Sequence, residues 1–324
     1  MQSLAALAKR MPIAAQLYRY SQSFYQKLDQ VHQVLDDLYQ VEAQQYVDRL
    51  MASREYGEPR KLNRWERKVF SQSGEDGIIA EIFRRIGSTH RTFVEFAAGD
   101  GIENNTAYLL HSGWTGFWIE AHDAYVNEIL SNHSRKIEEG ALRFRRAFVT
   151  AENIESLLEG ADVPEEIDLL SIDIDRNDYW VWSKIARCRP RVVVIEYNAV
   201  LPPGFEWVVD YAPNATWDGT SNFGASLTAL ELLGVRKGYR LVGCDLTGVN
   251  AFFVRDDLVG ELFCGPFTAE NHYEPPRYYL TRRLVGHPRT VAQIWRKPFI
   301  IDRQGRAIRV SSEEPAGPGV TSNP

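Results

Sequence analysis

Five short apolar runs alternate with helical stretches between residues 92 and 196, and this alternation restricts the fold more than any other feature of the chain. The runs lie at 92–97, 116–120, 143–149, 167–172 and 191–196. Stretches of helical character separate them, near 103–112, 123–138, 152–159 and 178–187. Strands alternating with helices make βαβ units, and such units build a parallel sheet. Ahead of the first run, Ser73 and Asp76 precede Ile78, Ile79, Ile82 and Phe83, which predicts a capped amphipathic helix ending near Gly87. After the last run, 226–234 reads as another helix, and 240–244 with 251–254 as a closing pair of strands. The turn Asp245-Leu246-Thr247-Gly248 between them makes that pair antiparallel. The expected fold is α/β: a doubly wound, mostly parallel, seven-stranded sheet with an antiparallel last pair, centred on residues 71–260.

The flanks have a different character. Residues 1–68 hold almost no glycine and read as a helical extension. Leu17, Phe24, Val31 and Leu38 recur every seven residues, with Leu28 and Leu35 at the second seam position. Three readings fit this pattern: an amphipathic helix packed on its own domain, an arm that makes a homo-oligomer, or a helix on a membrane surface. Arg60, Lys61, Arg64, Arg67 and Lys68 form a basic run, expected on a helix, either as a solvated face or against an anionic substrate or partner. The main domain is assigned to 69–310. The tail, 311–324, with three prolines and two glycines, reads as disordered.

A formal charge of −6 argues against general binding to nucleic acid, whose affinity rests on neutralised phosphates. Cys188, Cys244 and Cys264 stand too far apart for a disulfide framework or a C-x-x-C pair, so a reducing, cytoplasmic setting is expected. No apolar stretch approaches the ~18 residues of a membrane span. Lys9, Arg10 and Pro12 interrupt the first apolar stretch, and no signal peptide is expected.

The most informative segment is Phe93-Val94-Glu95-Phe96-Ala97-Ala98-Gly99-Asp100-Gly101-Ile102-Glu103-Asn104-Asn105-Thr106, a strand running through a glycine-bearing turn into a helix. Open α/β sheets bind ligands at the carboxyl ends of strands, where strand order reverses. Gly99 and Gly101 let the backbone approach a ligand and adopt positive φ at no steric cost. The next strand ends at Glu120, placed to accept hydrogen bonds from both hydroxyls of a ribose. Dinucleotides want G-x-G-x-x-G at the helix N-terminus. This loop lacks that spacing, and Asp100 and Glu103 would repel a diphosphate, which excludes a nicotinamide-dependent oxidoreductase. A phosphate-free cofactor with a cationic centre, S-adenosylmethionine, matches better.

These pieces resemble a class I methyltransferase of Rossmann-like fold, specifically the FkbM-type family of S-adenosylmethionine-dependent methyltransferases. The likeness is carried by Ser71-Gln72-Ser73-Gly74-Glu75-Asp76-Gly77, the loop above and Gly113-Trp114-Thr115-Gly116-Phe117-Trp118-Ile119-Glu120. Segments 171–180, 192–203, 238–244 and 250–254 extend it in the expected order. One departure stands out, since E-x-G-x-G-x-G becomes Glu95-x-Ala97-x-Gly99-x-Gly101, which leaves open an altered cofactor site. The resemblance implies that Gly99 and Gly101 line the methionine part, Glu120 holds the ribose, and Ala147 and Phe148 flank the adenine. Gln72, Asn105 and Thr106 complete the implied cofactor set, and Glu95 orders the loop.

Methyl transfer to oxygen is an in-line displacement, dominated by alignment of the reactants and helped by a base or metal that activates a weak hydroxyl nucleophile. Asp173 and Asp175 follow the fourth strand, and Glu196 and Asn198 end the fifth, so parallel neighbours bring carboxylates together. Oxygen donors of this kind suit Mg²⁺ or another divalent cation. The pattern is similar to that of metal-dependent O-methyltransferases of the catechol and macrolide-sugar types, including a Pro203-Gly204 after the second ligand set. The chosen ligands are Asp173, Glu196 and Asn198, with Asp173 or Asp175 as base; Asp178 reads as a helix cap. Tyr197, Asn250 and His272 are candidates for the acceptor pocket. The resemblance implies O-methylation of a small-molecule or glycan acceptor, a sugar hydroxyl above all. The competing reading is a non-catalytic scaffold on the same fold.

Overall fold

The computed structural model describes residues 12–281 and two short strands at 299–301 and 307–309; the expected tail, 311–324, lies outside the described residues. The chain divides into two units, Met1–Gly57 and Glu58–Pro324. In the first, a 40-residue helix, α1 (Pro12–Met51), is followed by one 3-10 turn at Arg54–Tyr56. The helix stops at Met51 rather than running on to residue 68: Ala52 and Ser53 form a turn, and Gly57 and Pro59 keep the following segment from resuming an α-helix. The basic run therefore lies on turns. Arg60 pairs with Glu58 at 2.8 Å, Lys68 pairs with Glu103 at 3.1 Å, and Lys61 is buried. The 3-10 turn Leu62–Trp65 belongs with the sheet, where the Asn63 side chain donates to the Cys244 carbonyl at 2.8 Å.

The second unit runs α2 (Glu75–Ile86), β1 (Thr92–Phe96), α3 (Ala107–His111), β2 (Thr115–Glu120), α4 (Asp123–Asn132), α5 (Ser134–Glu138) and β3 (Leu142–Arg146). It continues with α6 (Ile154–Glu159), β4 (Leu169–Ile172), α7 (Asp178–Lys184), β5 (Val192–Glu196), α8 (Leu227–Lys237), β6 (Tyr239–Cys244) and β7 (Asn250–Arg255). The seven strands form one sheet in the order β3-β2-β1-β4-β5-β7-β6. All neighbours among the first five are parallel, and β7 is antiparallel to both β5 and β6. This is the doubly wound, Rossmann-like architecture with an antiparallel last pair.

Alternate residues of each strand feed two separate cores, one on each face. Val94, Phe96, Phe117, Ile119, Leu170 and Ile172 lie in one, and Phe93, Trp118, Leu169 and Val194 in the other. A sheet buried on both faces explains why the runs read as continuous apolar segments rather than alternating ones. Gly116 belongs to this packing, since a Cβ there would lie 2.0 Å from the Phe93 ring.

The N-terminus of α2 is capped differently from the Ser73–Asp76 expectation. The Ser71 hydroxyl accepts from the Asp76 N–H at 3.1 Å, and one Asp76 carboxylate oxygen accepts from the N–H groups of Val69, Phe70 and Ser71. The reciprocal pair is thus Ser71–Asp76, and Gly74 occupies the cap position with φ +121°.

Candidate active site

Strand order reverses between β1 and β4, and a cavity of about 850 Å³ opens at the carboxyl ends of the strands there. Of the residues singled out from the sequence, Gln72, Gly99, Glu120, Ala147, Phe148, Asp173, Asp175 and Glu196 line it. Glu95, Gly101, Asn105, Thr106 and Asn198 do not, and each has a different occupation.

Glu95 sits on β1 between Trp118 and Ser171 and is buried. Its carboxylate accepts from the Asn105 N–H at 3.0 Å, the Thr106 N–H at 3.2 Å and the Thr106 and Ser171 hydroxyls. Burial raises its pKa to about 7 against the downward pull of these donors. Glu95 therefore ties the start of α3 to the central strand. Thr106 also accepts the Trp118 indole N–H at 2.7 Å, and Asn105 donates to the Ser171 hydroxyl at 3.1 Å. Gly101, at φ +76°, packs on Trp118, where a Cβ would lie 2.8 Å from the indole, and its carbonyl is 2.9 Å from the His133 Nε2. These four residues shape the loop from behind.

The face toward the cavity is made by Ala97, Gly99 and Glu120. Gly99, at φ +59°, donates its N–H to Glu120 Oε2 at 2.9 Å, and a Cβ on it would meet nothing within 4 Å. The other Glu120 oxygen accepts from the Ala121 and His122 N–H groups, both at 2.8 Å. Ala97, which stands where the resembling pattern has glycine, holds φ +54°, a conformation costly for an L side chain. Phe148, also in the lining, is 41% exposed, and the His122 and Tyr125 rings lie 5.1 Å apart at a tilt of 47°.

Asp173 and Glu196 of the lining belong to an acidic cluster with Asp178, which itself does not line the cavity. Asp173, Asp178 and Glu196 each offer one oxygen, and these oxygens lie within 4.8 Å of one another. Asp178, the first residue of α7, is fully buried; Oδ1 accepts from the Ile174 N–H at 2.8 Å, and Oδ2 has no hydrogen-bond partner. Burial, then repulsion from Glu196, Asp175 and Asp178, raises the Asp173 carboxyl well above its ordinary range. Burial, then Asp178 and Asp175, does the same to Glu196. Burial lifts Asp178 to about 7, the Ile174 N–H opposing it. Asn198 is not brought to this cluster: its amide donates to the Ser221 and Phe223 carbonyls at 2.8 and 2.9 Å. It braces the segment after β5, and Asp178 supplies the third oxygen instead. Asp175 adopts φ +64° and faces the cavity.

Sequence reasoning missed Ala215, Thr216, Val249, Tyr278 and Thr281, which also line the cavity. They come from connections and from a 3-10 turn, Tyr278–Leu280, where no periodic signal marks them. Tyr197, Asn250 and His272 do not line it. The Tyr197 hydroxyl donates to the Glu274 carbonyl at 2.6 Å, the Asn250 amide to Glu75 at 2.9 Å, and His272 is buried with its pKa lowered to about 4.

No protein-family profile and no curated protein matches this chain. Among solved structures, it is similar to the N-terminal domain of EvdMO1 with SAH bound, at 10% identity and TM-score 0.36, over 56% of this chain and 79% of that one. A S-adenosylmethionine-dependent methyltransferase from Clostridium acetobutylicum ATCC 824 matches at 12% identity and TM-score 0.35, over 55% and 89%. An O-methyltransferase family protein from Burkholderia thailandensis matches at 12% and 0.34, over 56% and 57%. The likeness is partial at these scores, and the fold assignment stands on the strand order and register.

Proposed function

We propose that the chain is a S-adenosylmethionine-dependent O-methyltransferase of the FkbM type, working in the cytoplasm on a hydroxyl of a sugar in a glycan or glycosylated metabolite. The observation that carries this reading is the charge of the cavity. Asp100, Glu103, Glu120, Asp173, Asp175 and Glu196 line it, and no lysine or arginine is among its described lining residues. Such a lining disfavours phosphate-bearing nucleotides and attracts a sulfonium centre or a metal cation. The sugar acceptor rests on the family resemblance alone.

Gly99 leaves open space on the cavity side, so a ligand can lie against the loop backbone. A carboxylate has about four acceptor positions, and Glu120 gives three to backbone N–H groups, which fixes its orientation and leaves room for a ribose hydroxyl. Ala147 and Phe148 offer an apolar wall to the adenine, with Gln72 at the rim. Asp173, Asp178 and Glu196 fit a divalent cation: all donors are oxygens, and Asp178 Oδ2 is buried without a partner. A cation held there would lower the pKa of the acceptor hydroxyl. Asp175, on a strained backbone at the cavity wall, is the candidate base, with Asp173 as the alternative. Burial raises the Asp173 carboxyl, which brings that group nearer the operating pH of a base.

Calorimetric titration of S-adenosylmethionine, S-adenosylhomocysteine, NAD and ATP into the purified protein tests this. Micromolar binding of the first two and none of the last two is expected. Binding of NAD or ATP alone would replace the reading with another cofactor class, and binding of none would leave the non-catalytic scaffold.

A further inference from the structure

We infer that the protein self-associates through α1, with helices from two or more copies packing along the face spanning residues 17–41. This stands apart from the proposed chemistry and rests on the first unit alone. Leu17, Phe24, Val31 and Leu38 lie on one seam with Leu28 and Leu35, and all six are between 43% and 65% exposed. The positions beside the seam are apolar too: Tyr18 and Tyr25 on one side, Val34 and Val41 on the other, each at least 40% exposed. Lys27 is the single lysine or arginine on these flanks, and no Asp or Glu lies there.

The size of the face sets what it requires. Eleven large apolar side chains of α1 are 40–67% exposed, leaving on the order of 1,000 Å² of apolar surface on one helix. Monomers rarely expose a contiguous patch beyond about 300–600 Å². A stable protein interface covers about 800 Å² on each partner. The exposed face is therefore of the size that an interface between copies buries.

The opposite face decides between a protein partner and a lipid surface. It carries Gln22, Gln26, Gln30, Gln33 and Gln40 with Asp29, Asp36 and Asp37, and only Arg19 is basic. Helices that lie on anionic membranes present a polar face rich in lysine and arginine. This one is acidic. A seven-residue apolar repeat is self-complementary, since each seam residue meets an equivalent layer on a second copy. A second copy of this chain is thus the occupant that the pattern fits.

Light scattering coupled to gel filtration of the full chain, at tens of micromolar, gives the test. A mass of at least twice that of one chain is expected. Leu28→Glu combined with Leu35→Glu is expected to return it to a single chain, while Gln26→Glu combined with Gln33→Glu, on the polar face, leaves the assembly intact. Circular dichroism and cooperative urea unfolding report whether each variant remains folded. A single-chain mass for the unaltered protein would overturn the proposal, as would an assembly that survives the double seam substitution in a folded variant. Flotation of single chains with vesicles of phosphatidylcholine and phosphatidylserine would assign the face to lipid instead.

Discussion

Asp178→Asn is expected to stabilise the metal-free protein at pH 8 while removing one of the three oxygens proposed to hold a divalent cation. Asp178 is buried beside Asp173 and Glu196, and its carboxyl is raised from the usual 3.8 to about 7. A raised acid binds its proton more tightly in the folded than in the unfolded chain. Its contribution to stability is therefore full below about pH 4 and is lost as pH rises through about 7. The shift of roughly three units corresponds to at most about 4 kcal/mol at 1.36 kcal/mol per unit. Asparagine retains an oxygen for the Ile174 N–H, and its amide hydrogens face carboxylate oxygens, so the cost of substitution is small. A gain of about 1–3 kcal/mol at pH 8 is expected, shrinking below about 1 kcal/mol near pH 5, where the carboxyl is already protonated. Urea denaturation in EDTA at both pH values measures it. A loss of stability at pH 8, or a gain equal at both pH values, would refute the argument that burying the Asp178 carboxylate costs stability.

Two further substitutions probe the loop. Ala97→Gly removes the cost of an L residue at φ +54°, about 1–2 kcal/mol, against a glycine entropy penalty of about 0.5–1 kcal/mol; a net gain of up to about 1 kcal/mol in urea denaturation is expected. Thr106→Val leaves the buried Trp118 indole N–H without its acceptor and Glu95 Oε2 with the Thr106 N–H alone, and a loss of about 1–3 kcal/mol is expected, with weaker S-adenosylhomocysteine binding as the loop loosens.

The central strands were legible because they are buried on both faces, which leaves the apolar runs of β1, β2, β4 and β5 unbroken, whereas the edge strand β3 exposes three arginines. Helix boundaries were less so. The stretch 103–112 is helical only at Ala107–His111, because Asn104 turns back to the Ala98 carbonyl at 3.1 Å and accepts from the Ala107 N–H at 2.8 Å. The stretch 123–138 breaks at His133, whose ring meets the Gly101 carbonyl. At the site, the residues at strand ends were readable from position along the chain. The direction of each side chain was not: Asn198 lies two residues past β5 and Asp178 opens α7, and only tertiary contacts turn one toward loop carbonyls and the other toward the acidic cluster. The contributions of Tyr278 and Thr216 come from segments without periodicity, placed by chain connections alone.

The proposed function requires one cavity to hold both a sulfonium cofactor and a cation. A crystal structure of the protein grown with S-adenosylhomocysteine and Mn²⁺, with anomalous scattering recorded for manganese, tests it most directly. Cofactor density is expected between Gly99, Glu120 and Phe148, and a manganese peak among Asp173, Asp178 and Glu196. Cofactor density elsewhere, or a manganese peak that avoids these three carboxylates, would contradict it.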